Sequence, residues 1–220
     1  MEYKQLVRRH EKTLKVNGEK QDMPTSEGFA MAYERGMKLR EDYGKDVIIR
    51  GRCSDPYRTH AAARAWLTGA GVREQEIKTK SELNPPNFTK EQFKQIRNEP
   101  DKSKKLSMLY NDFREKTTQA GLRVAQYLVA SAQQQMEKED QITVVDVGVI
   151  NAPQQKAAEQ LLKGRGVSYE KIMEDGGIFP VGEGFDFQVR KEGSLYVAEI
   201  TAGDKKEELE LDEIIARIER

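Results

Sequence analysis

The sequence predicts an α/β fold, a three-layer sandwich with a central, mostly parallel sheet, helices on both faces and a helical insertion. Short apolar strands and amphipathic helices alternate at the start of the chain, and a β-branched apolar run, ITVVDVGVI, occupies residues 142–150. A strand, helix, strand, helix order is typical of a parallel sheet covered on both faces. The chain has 220 residues, enough for one sizeable core, so we expect a single domain over residues 1–220.

Three strands are predicted from apolar, β-branched composition, at residues 3–8, 46–51 and 142–150. A helix is predicted between the first two strands, capped by Thr25 or Ser26 and stopped by Gly44. A second helix should begin near Thr59 and run to Gly69. Active sites in parallel sheets lie beyond the carboxyl ends of the strands. We therefore expect the loops that follow the three strands to share one edge of the sheet.

Residues 80–116 interrupt this alternation and are predicted to form a helical insertion that lies over or beside the sheet edge. The segment contains an NPPN turn, a charged amphipathic run from Thr89 to Arg97, and then NEPDKSKK. Such charge runs are more typical of a solvated surface than of a binding patch.

The rest of the chain is predicted to add a long helix, a hairpin and a final helix. The long helix runs from about residue 117 to 137 and is rich in Ala and Gln. Two strands, at residues 185–190 and 194–200, are joined by the turn KEG. A charged helix is predicted over residues 205–220.

The composition excludes several classes of function. The 37 Lys and Arg residues balance the 37 Asp and Glu residues, so the protein has no overall field to attract nucleic acid or an anionic membrane surface. No apolar segment is long enough for a membrane span or for a secretory leader. A single cysteine, Cys53, cannot form an internal disulfide, and one cysteine with two distant histidines is a poor set of metal ligands. We therefore expect a cytoplasmic protein with no metal and no organic cofactor.

Three stretches of the sequence resemble the histidine phosphatase superfamily, the phosphoglycerate-mutase-like proteins. Arg9 and His10 follow the first strand, where the family has Arg-His-Gly. PTSEGFAMAYERGMKL is similar to the family's first helix, including its spaced glycines, and CSDPYRTHAAA is similar to its Ser-Ser-x-x-x-Arg-Thr turn and supplies Arg58. Because each stretch lies on the element that the family uses, the resemblance is most specific over residues 3–72.

The resemblance implies the roles of several residues. Arg9 and Arg58 would clamp a phosphoryl group by charge-assisted hydrogen bonds, aided by the dipole of the helix that starts near Thr59. His10 would attack phosphorus and form a phosphohistidine that water later hydrolyses. The substrate would be a phosphorylated small molecule or a phosphoprotein.

Three further residues are candidates for supporting roles at the same site. Glu82 is our first choice for the proton donor to the leaving oxygen, and Asp146 is the second. Asn17 would assist in binding the substrate. Asp146 is also a candidate substrate contact, although its carboxylate would repel a phosphoryl dianion unless it were protonated.

The sequence departs from the family in two places. The family's late strand ends in a second histidine followed by glycine, and alignment on Gly148 puts Val147 there. If the alignment is shifted by one residue, Asp146 takes the position of that second histidine. Glu11 replaces the glycine that follows the first histidine. A catalytically impaired member that binds phosphate, other anions or a partner protein is therefore the alternative to an active phosphatase.

A cysteine phosphatase is a further alternative, because Cys53 ends a predicted strand and Arg58 follows it. The spacing between the two residues is one residue shorter than those enzymes use, and Pro56 removes one of the backbone amides that their phosphate loop needs. We therefore expect Cys53 to stand where the histidine phosphatases carry a small serine.

Overall fold

The structure is a computed structural model that describes residues 2–10, 12–16, 19–73, 77–138 and 143–219. Its strands are β1 (Glu2–Arg9), β2 (Thr13–Val16), β3 (Glu19–Pro24), β4 (Ile48–Cys53), β5 (Ile77–Thr79), β6 (Val144–Ile150), β7 (Gly184–Glu192), β8 (Leu195–Ala202) and β9 (Lys205–Glu210). Its α-helices are α1 (Ser26–Tyr43), α2 (Tyr57–Gly69), α3 (Lys90–Asn98), α4 (Lys102–Ser107), α5 (Arg114–Met136), α6 (Ala152–Leu162), α7 (Tyr169–Glu174) and α8 (Leu211–Ile218). A 3-10 turn covers Ser81–Leu83, and a π-helical turn covers Met108–Asp112.

Within the described residues, seven strands form one sheet in the order β5-β4-β6-β1-β7-β8-β9, and β2 and β3 form a separate hairpin. The first four strands of that order are parallel, and β7, β8 and β9 extend the sheet by antiparallel pairing. Cys53 pairs with Val149, and Arg9 pairs with Ile150. The carboxyl ends of β4, β6 and β1 therefore meet at one edge, as the sequence predicts.

Helices cover both faces of the sheet, and this confirms the predicted three-layer α/β architecture. On one face, Leu6 and Val147 pack with Leu39 of α1 and Leu67 of α2. On the other face, β1 and β7 contribute to a core shared with α5, α6 and α8. β6 lies between the two cores, so all of its residues are buried, which explains why all of them except Asp146 are apolar or glycine. No helix in the described ranges is long and apolar enough to cross a membrane.

Two glycines bring the backbones of α1 and α2 into contact. A Cβ atom at Gly36 would overlap the carbonyl oxygen of Trp66, and one at Gly69 would overlap that of Tyr33. The helix that contains Gly36 begins as predicted, because Oγ1 of Thr25 accepts a hydrogen bond of 3.0 Å from the amide of Gly28. The glycines therefore act in packing, since larger side chains would push the two helices apart.

The predicted helix at residues 205–220 is wrong in its first half, because Lys205–Glu210 form β9 and only Leu211–Ile218 are helical. Gly203 has a positive φ of 59°, which allows the tight turn after β8. Lys206 then forms an ion pair of 2.8 Å with Glu199 on the neighbouring strand. The charges that suggested a solvated helix form cross-strand pairs at the edge of the sheet.

Candidate active site

Arg9 and His10 lie where β1 leaves the sheet. The amide of Arg9 donates to the carbonyl of Glu183 at 2.8 Å, and the amide of His10 donates to the carbonyl of Ile150 at 3.1 Å. These two bonds extend the pairing of β1 with β7 and with β6 to the carboxyl end of β1. The backbone of His10 is therefore fixed beside the last residue of β6.

Asn151 is the residue that follows β6, and its side chain is 6% exposed. Its Oδ1 accepts a hydrogen bond of 2.8 Å from Nη2 of Arg58. The other terminal nitrogen of Arg58, Nη1, donates to Oδ1 of Asp22 at 2.7 Å, and Oδ2 of Asp22 accepts from the amide of Tyr57 at 2.9 Å. Arg58, at the start of α2, thus reaches the strand end at which His10 lies.

Two buried donors at this edge have no hydrogen-bond partner among the described residues: Nδ2 of Asn151 and Nε of Arg9. The guanidinium of Arg9 is held in place by a bond of 2.8 Å from Nη1 to the carbonyl of Phe179. Burial lowers the pKa of Arg9, which means that keeping its guanidinium group charged in this position costs free energy. Leaving a buried donor unsatisfied costs about 1–3 kcal/mol. An anion that accepted from both groups would offset this cost.

Asn151, and not Val147, stands at the end of β6. Val147 is fully buried in the middle of the strand, in the core beneath α1 and α2. Alignment on Gly148 therefore places the strand end several residues too early. The signal that could identify Asn151 is its position as the first polar residue after the longest apolar run.

The structure does not bring Asp146 to this edge. Asp146 is 1% exposed and lies in the middle of β6, where it pairs with Gln5 of β1 and Arg50 of β4. Its carboxylate accepts from Nε and Nη2 of Arg50 at 2.7 and 3.0 Å and from the hydroxyl of Tyr3 at 3.0 Å. The expected contact of Asp146 with the substrate is corrected accordingly, because its oxygens are used in this internal ion pair.

Glu82 lies on the exposed 3-10 turn that follows β5. It lines a cavity of about 790 Å³ together with Asp55 and Pro56, which directly precede α2. The wall of this cavity is fixed by Asn84, whose Oδ1 accepts from the amide of Asp55 at 2.7 Å and whose Nδ2 donates to the Asp55 carboxylate. Asn84, two residues after Glu82, thus connects this segment to the loop that leads to Arg58. The predicted contact Asn17, and Glu11, lie outside the described residues.

Cys53 is enclosed within the protein. Its side chain is fully buried, with Sγ 3.8 Å from Oγ1 of Thr79, and burial raises the pKa of its thiol. A nucleophilic cysteine needs an accessible thiolate. The geometry therefore disfavours the cysteine phosphatase alternative.

Solved structures have the same arrangement of strands and helices. A mycobacterial glucosyl-3-phosphoglycerate phosphatase superposes with a TM-score of 0.55 at 13% sequence identity, over 86% of this chain and 92% of that chain. A phosphoserine phosphatase from Entamoeba histolytica, solved in complex with 3-phosphoglyceric acid, superposes with a TM-score of 0.54 at 16% identity, over 86% of this chain and 90% of that chain. This chain has the histidine phosphatase fold. A protein described as mycobacterial hydrolase 1 also superposes, with a TM-score of 0.59 at 11% identity, over 94% of this chain and 96% of that chain.

The similarity to histidine phosphatases lies in the fold rather than in overall sequence. No protein-family model matches the chain, and no curated protein matches its sequence. The resemblance drawn from Arg9, His10 and Arg58 is confirmed for the fold. In this chain the residue that directly follows β6 is Asn151 and not a histidine.

Proposed function

We propose that this protein is a phosphomonoester hydrolase that works through a phosphohistidine at His10. The observation that carries the proposal is the pair of unsatisfied buried donors, Nε of Arg9 and Nδ2 of Asn151, at the strand ends that hold His10. Phosphoryl oxygens are strong acceptors, and guanidinium groups match their geometry. The phosphatases among the solved structures of the same fold support this assignment.

In the proposed complex, Arg9, Arg58 and Asn151 bind the phosphoryl oxygens. The amino end of α2, a helix of 13 residues, adds positive potential close to Arg58. Asn17 would supply a further hydrogen bond. The guanidinium groups carry the compensating charge, so the proposal includes no metal ion and no organic cofactor. The proposed substrate is a phosphorylated small molecule, and a phosphoprotein is the other substrate class considered.

The proposed reaction has two displacements at phosphorus. An imidazole nitrogen of His10 attacks phosphorus in line, the bond to the ester oxygen breaks, and Glu82 gives its proton to the departing oxygen. A water molecule then attacks the phosphohistidine and passes a proton to the Glu82 carboxylate. The bond between phosphorus and nitrogen breaks, which releases orthophosphate and restores neutral His10.

The second candidate is a catalytically impaired family member that binds phosphate or another anion, or a partner protein, without turnover. Asn151 favours it, because an amide is a neutral donor that cannot share a proton with the phosphoryl group as an imidazolium can. The ion pair between Arg58 and Asp22 also neutralises part of the charge that a substrate would need. Both candidates bind phosphate, but only the first forms a covalent bond at His10.

Hydrolysis of p-nitrophenyl phosphate by wild type, His10→Ala and His60→Ala tests the proposal. His60 is the matched control, because it is the only other histidine in the sequence. Loss of the nucleophile should lower kcat/KM by at least about 1000-fold in His10→Ala, whereas His60→Ala should retain activity. A labelled phosphodonor should mark wild type and not His10→Ala. Phosphate binding without label on His10 would instead establish the second candidate.

A further inference from the structure

The end of β1 is held against the residues before β7 by two hydrogen bonds of the Arg9 backbone. The amide of Arg9 donates to the carbonyl of Glu183 at 2.8 Å, and the carbonyl of Arg9 accepts from the amide of Gly182 at 3.2 Å. Gly182 has a positive φ of 74°, which a residue with a side chain rarely adopts. We name residues 182–184, with the sequence Gly-Glu-Gly, the GEG corner.

The side chain of Gln155, in the first turn of α6, connects β1 to the GEG corner. Its Nε2 donates to the carbonyl of Val7 at 2.8 Å and to the carbonyl of Glu183 at 3.1 Å. The carbonyl of Glu183 is also the one that accepts from the amide of Arg9. Gln155 is therefore bonded to both of the chain segments that meet at Arg9.

The contacts of the Gln155 amide determine its orientation. A carbonyl oxygen can only accept, so the end of the side chain that faces Val7 and Glu183 must be the nitrogen. The other end, Oε1, is buried and has no hydrogen-bond partner among the described residues. Gln155 is fully buried, so both of its hydrogen bonds form away from water, where the loss of a partner is costly.

Gly184 allows the Gln155 side chain to approach the GEG corner. A Cβ atom at Gly184 would overlap both Nε2 of Gln155 and the carbonyl oxygen of Val7. A larger residue at this position would displace the Gln155 amide or push β7 away from β1. The contact of Gln155 with the corner therefore requires glycine here.

The guanidinium group of Arg9 is held by the same part of the chain as its backbone. Nη1 of Arg9 donates at 2.8 Å to the carbonyl of Phe179, three residues before the GEG corner. The backbone and the side chain of Arg9 are thus both bonded to residues 179–183, and Gln155 fixes this segment relative to β1. A shift of the segment would move the guanidinium group with it.

We propose that Gln155 is a positioning residue of the proposed active site, and that it directs the guanidinium group of Arg9 towards the phosphoryl group. The proposal rests on the proposed function only for what Arg9 binds, because the contacts of Gln155 involve no ligand. Gln155 acts through Arg9 and takes no part in the attack on phosphorus. Gln154 is the matched comparison, since it is also fully buried but donates to the carbonyl of Leu83, at 3.2 Å, and not to β1.

Nuclear magnetic resonance of the Arg9 side chain tests the positioning directly. The Nε–H group of Arg9 is a buried donor without a described partner, and its resonance is assigned by its absence from Arg9→Lys. Gln155→Met keeps the length of the side chain but removes the amide, so exchange of this proton with solvent should become faster by at least about tenfold. Gln154→Met also loses a buried amide and should leave the resonance unchanged. A wild-type resonance and exchange rate in Gln155→Met would overturn the proposal.

Titration with vanadate shows whether the positioning matters for binding. The dissociation constant should rise by about threefold to tenfold in Gln155→Met and stay within about twofold of wild type in Gln154→Met. Equal dissociation constants for the two variants would refute the role of Gln155 in binding. If wild type bound no vanadate, the proposed function would fail, and the Arg9 resonance would still decide whether Gln155 positions Arg9. Gln155→Asn, whose amide is one methylene group shorter, replaces Gln155→Met if that variant does not fold.

Discussion

The side chain of Arg58 donates from Nη2 to Oδ1 of Asn151 over 2.8 Å, although the two residues are 93 positions apart in the chain. A guanidinium group can only donate hydrogen bonds, so the amide oxygen of Asn151 must face it. The amide nitrogen is then directed elsewhere, and it is the buried donor left without a described partner. This one contact fixes the position of Arg58 and the orientation of the donor beside the end of β6.

Asn151→Asp should weaken phosphate binding. The substitution keeps an oxygen that can accept from Arg58, but it replaces the Nδ2 donor by a second carboxylate oxygen that repels a phosphoryl dianion. We expect the dissociation constant for orthophosphate or vanadate to rise by at least about tenfold, measured by titration at neutral pH. Asn111→Asp, which makes the same change of charge elsewhere, should leave it unaltered. An unchanged dissociation constant in Asn151→Asp would exclude Nδ2 from the site.

Cys53→Ser should retain phosphatase activity. The thiol is fully buried and its pKa is raised by burial, so it is a poor nucleophile at neutral pH. Rates with p-nitrophenyl phosphate should stay within about threefold of wild type, and iodoacetamide should not inactivate the native protein. Inactivation by the reagent, prevented by orthophosphate and absent in Cys53→Ser, would return the cysteine mechanism to consideration.

Asp175→Asn should lower stability and change its dependence on acid. Burial alone would raise the pKa of Asp175, but hydrogen bonds from Lys156 and Lys205 bring it well below its usual range. Lys156 is almost fully buried, with Nζ 2.5 Å from the Asp175 carboxylate. Removal of the charge should cost about 3 kcal/mol of unfolding free energy at neutral pH, because a buried cation loses one of its partners.

The direction of the pH effect follows from the lowered pKa of Asp175. In the unfolded chain the pKa of an aspartate is about 4, and above this pH the ionised Asp175 stabilises the folded state. This stabilisation is lost as the pH falls from there towards the lower pKa that Asp175 has in the folded protein. Urea unfolding at a series of pH values should therefore show a shallower loss of stability below about pH 4 in Asp175→Asn. Asp212→Asn, at an exposed position, is the control and should follow wild type. If the unfolding free energy of Asp175→Asn fell with pH as steeply as that of wild type, ionised Asp175 would not be a source of the pH dependence.

Gly36→Ala should destabilise the protein even though alanine favours helix. The added methyl group would overlap the backbone of α2 at Trp66, and such overpacking costs about 1–3 kcal/mol. The gain in helix propensity of about 1 kcal/mol offsets only part of it. Thermal unfolding should show a lower midpoint than wild type, whereas Lys38→Ala, at an exposed position of the same helix, should not. A raised midpoint in Gly36→Ala would argue against close contact of the helices.

Local patterns were sufficient to predict much of the fold and part of the candidate site. Thr25 and Gly44 bound α1 as their capping chemistry predicts. β1 ends at Arg9, directly before His10 and one residue beyond the predicted strand. Asn151 is identifiable in the sequence as the first polar residue after the longest apolar run, but its place beside His10 depends on the long-range pairing of β6 with β1. Gly148 suggested a match to the family, but it lies inside the strand.

Charged segments were harder to assign from the sequence. Lys205–Glu210 has the composition of a solvated helix, yet cross-strand ion pairs with β8 make it a strand. The pairing of Arg50 with Asp146 was also not predictable, because it depends on the adjacency of β4 and β6. These interactions arise only when distant segments meet in the sheet.

The contact of α1 with α2 through Gly36 and Gly69 has a consequence for how the protein should respond to heat. Leu6 beneath α1 and Leu67 on α2 belong to one core, so the segments that carry His10 and Arg58 are braced by a shared scaffold. Displacement of either segment would disturb the core that both share. If the site binds orthophosphate as proposed, binding on heating should be lost in the same interval in which the helices unfold, and not before it.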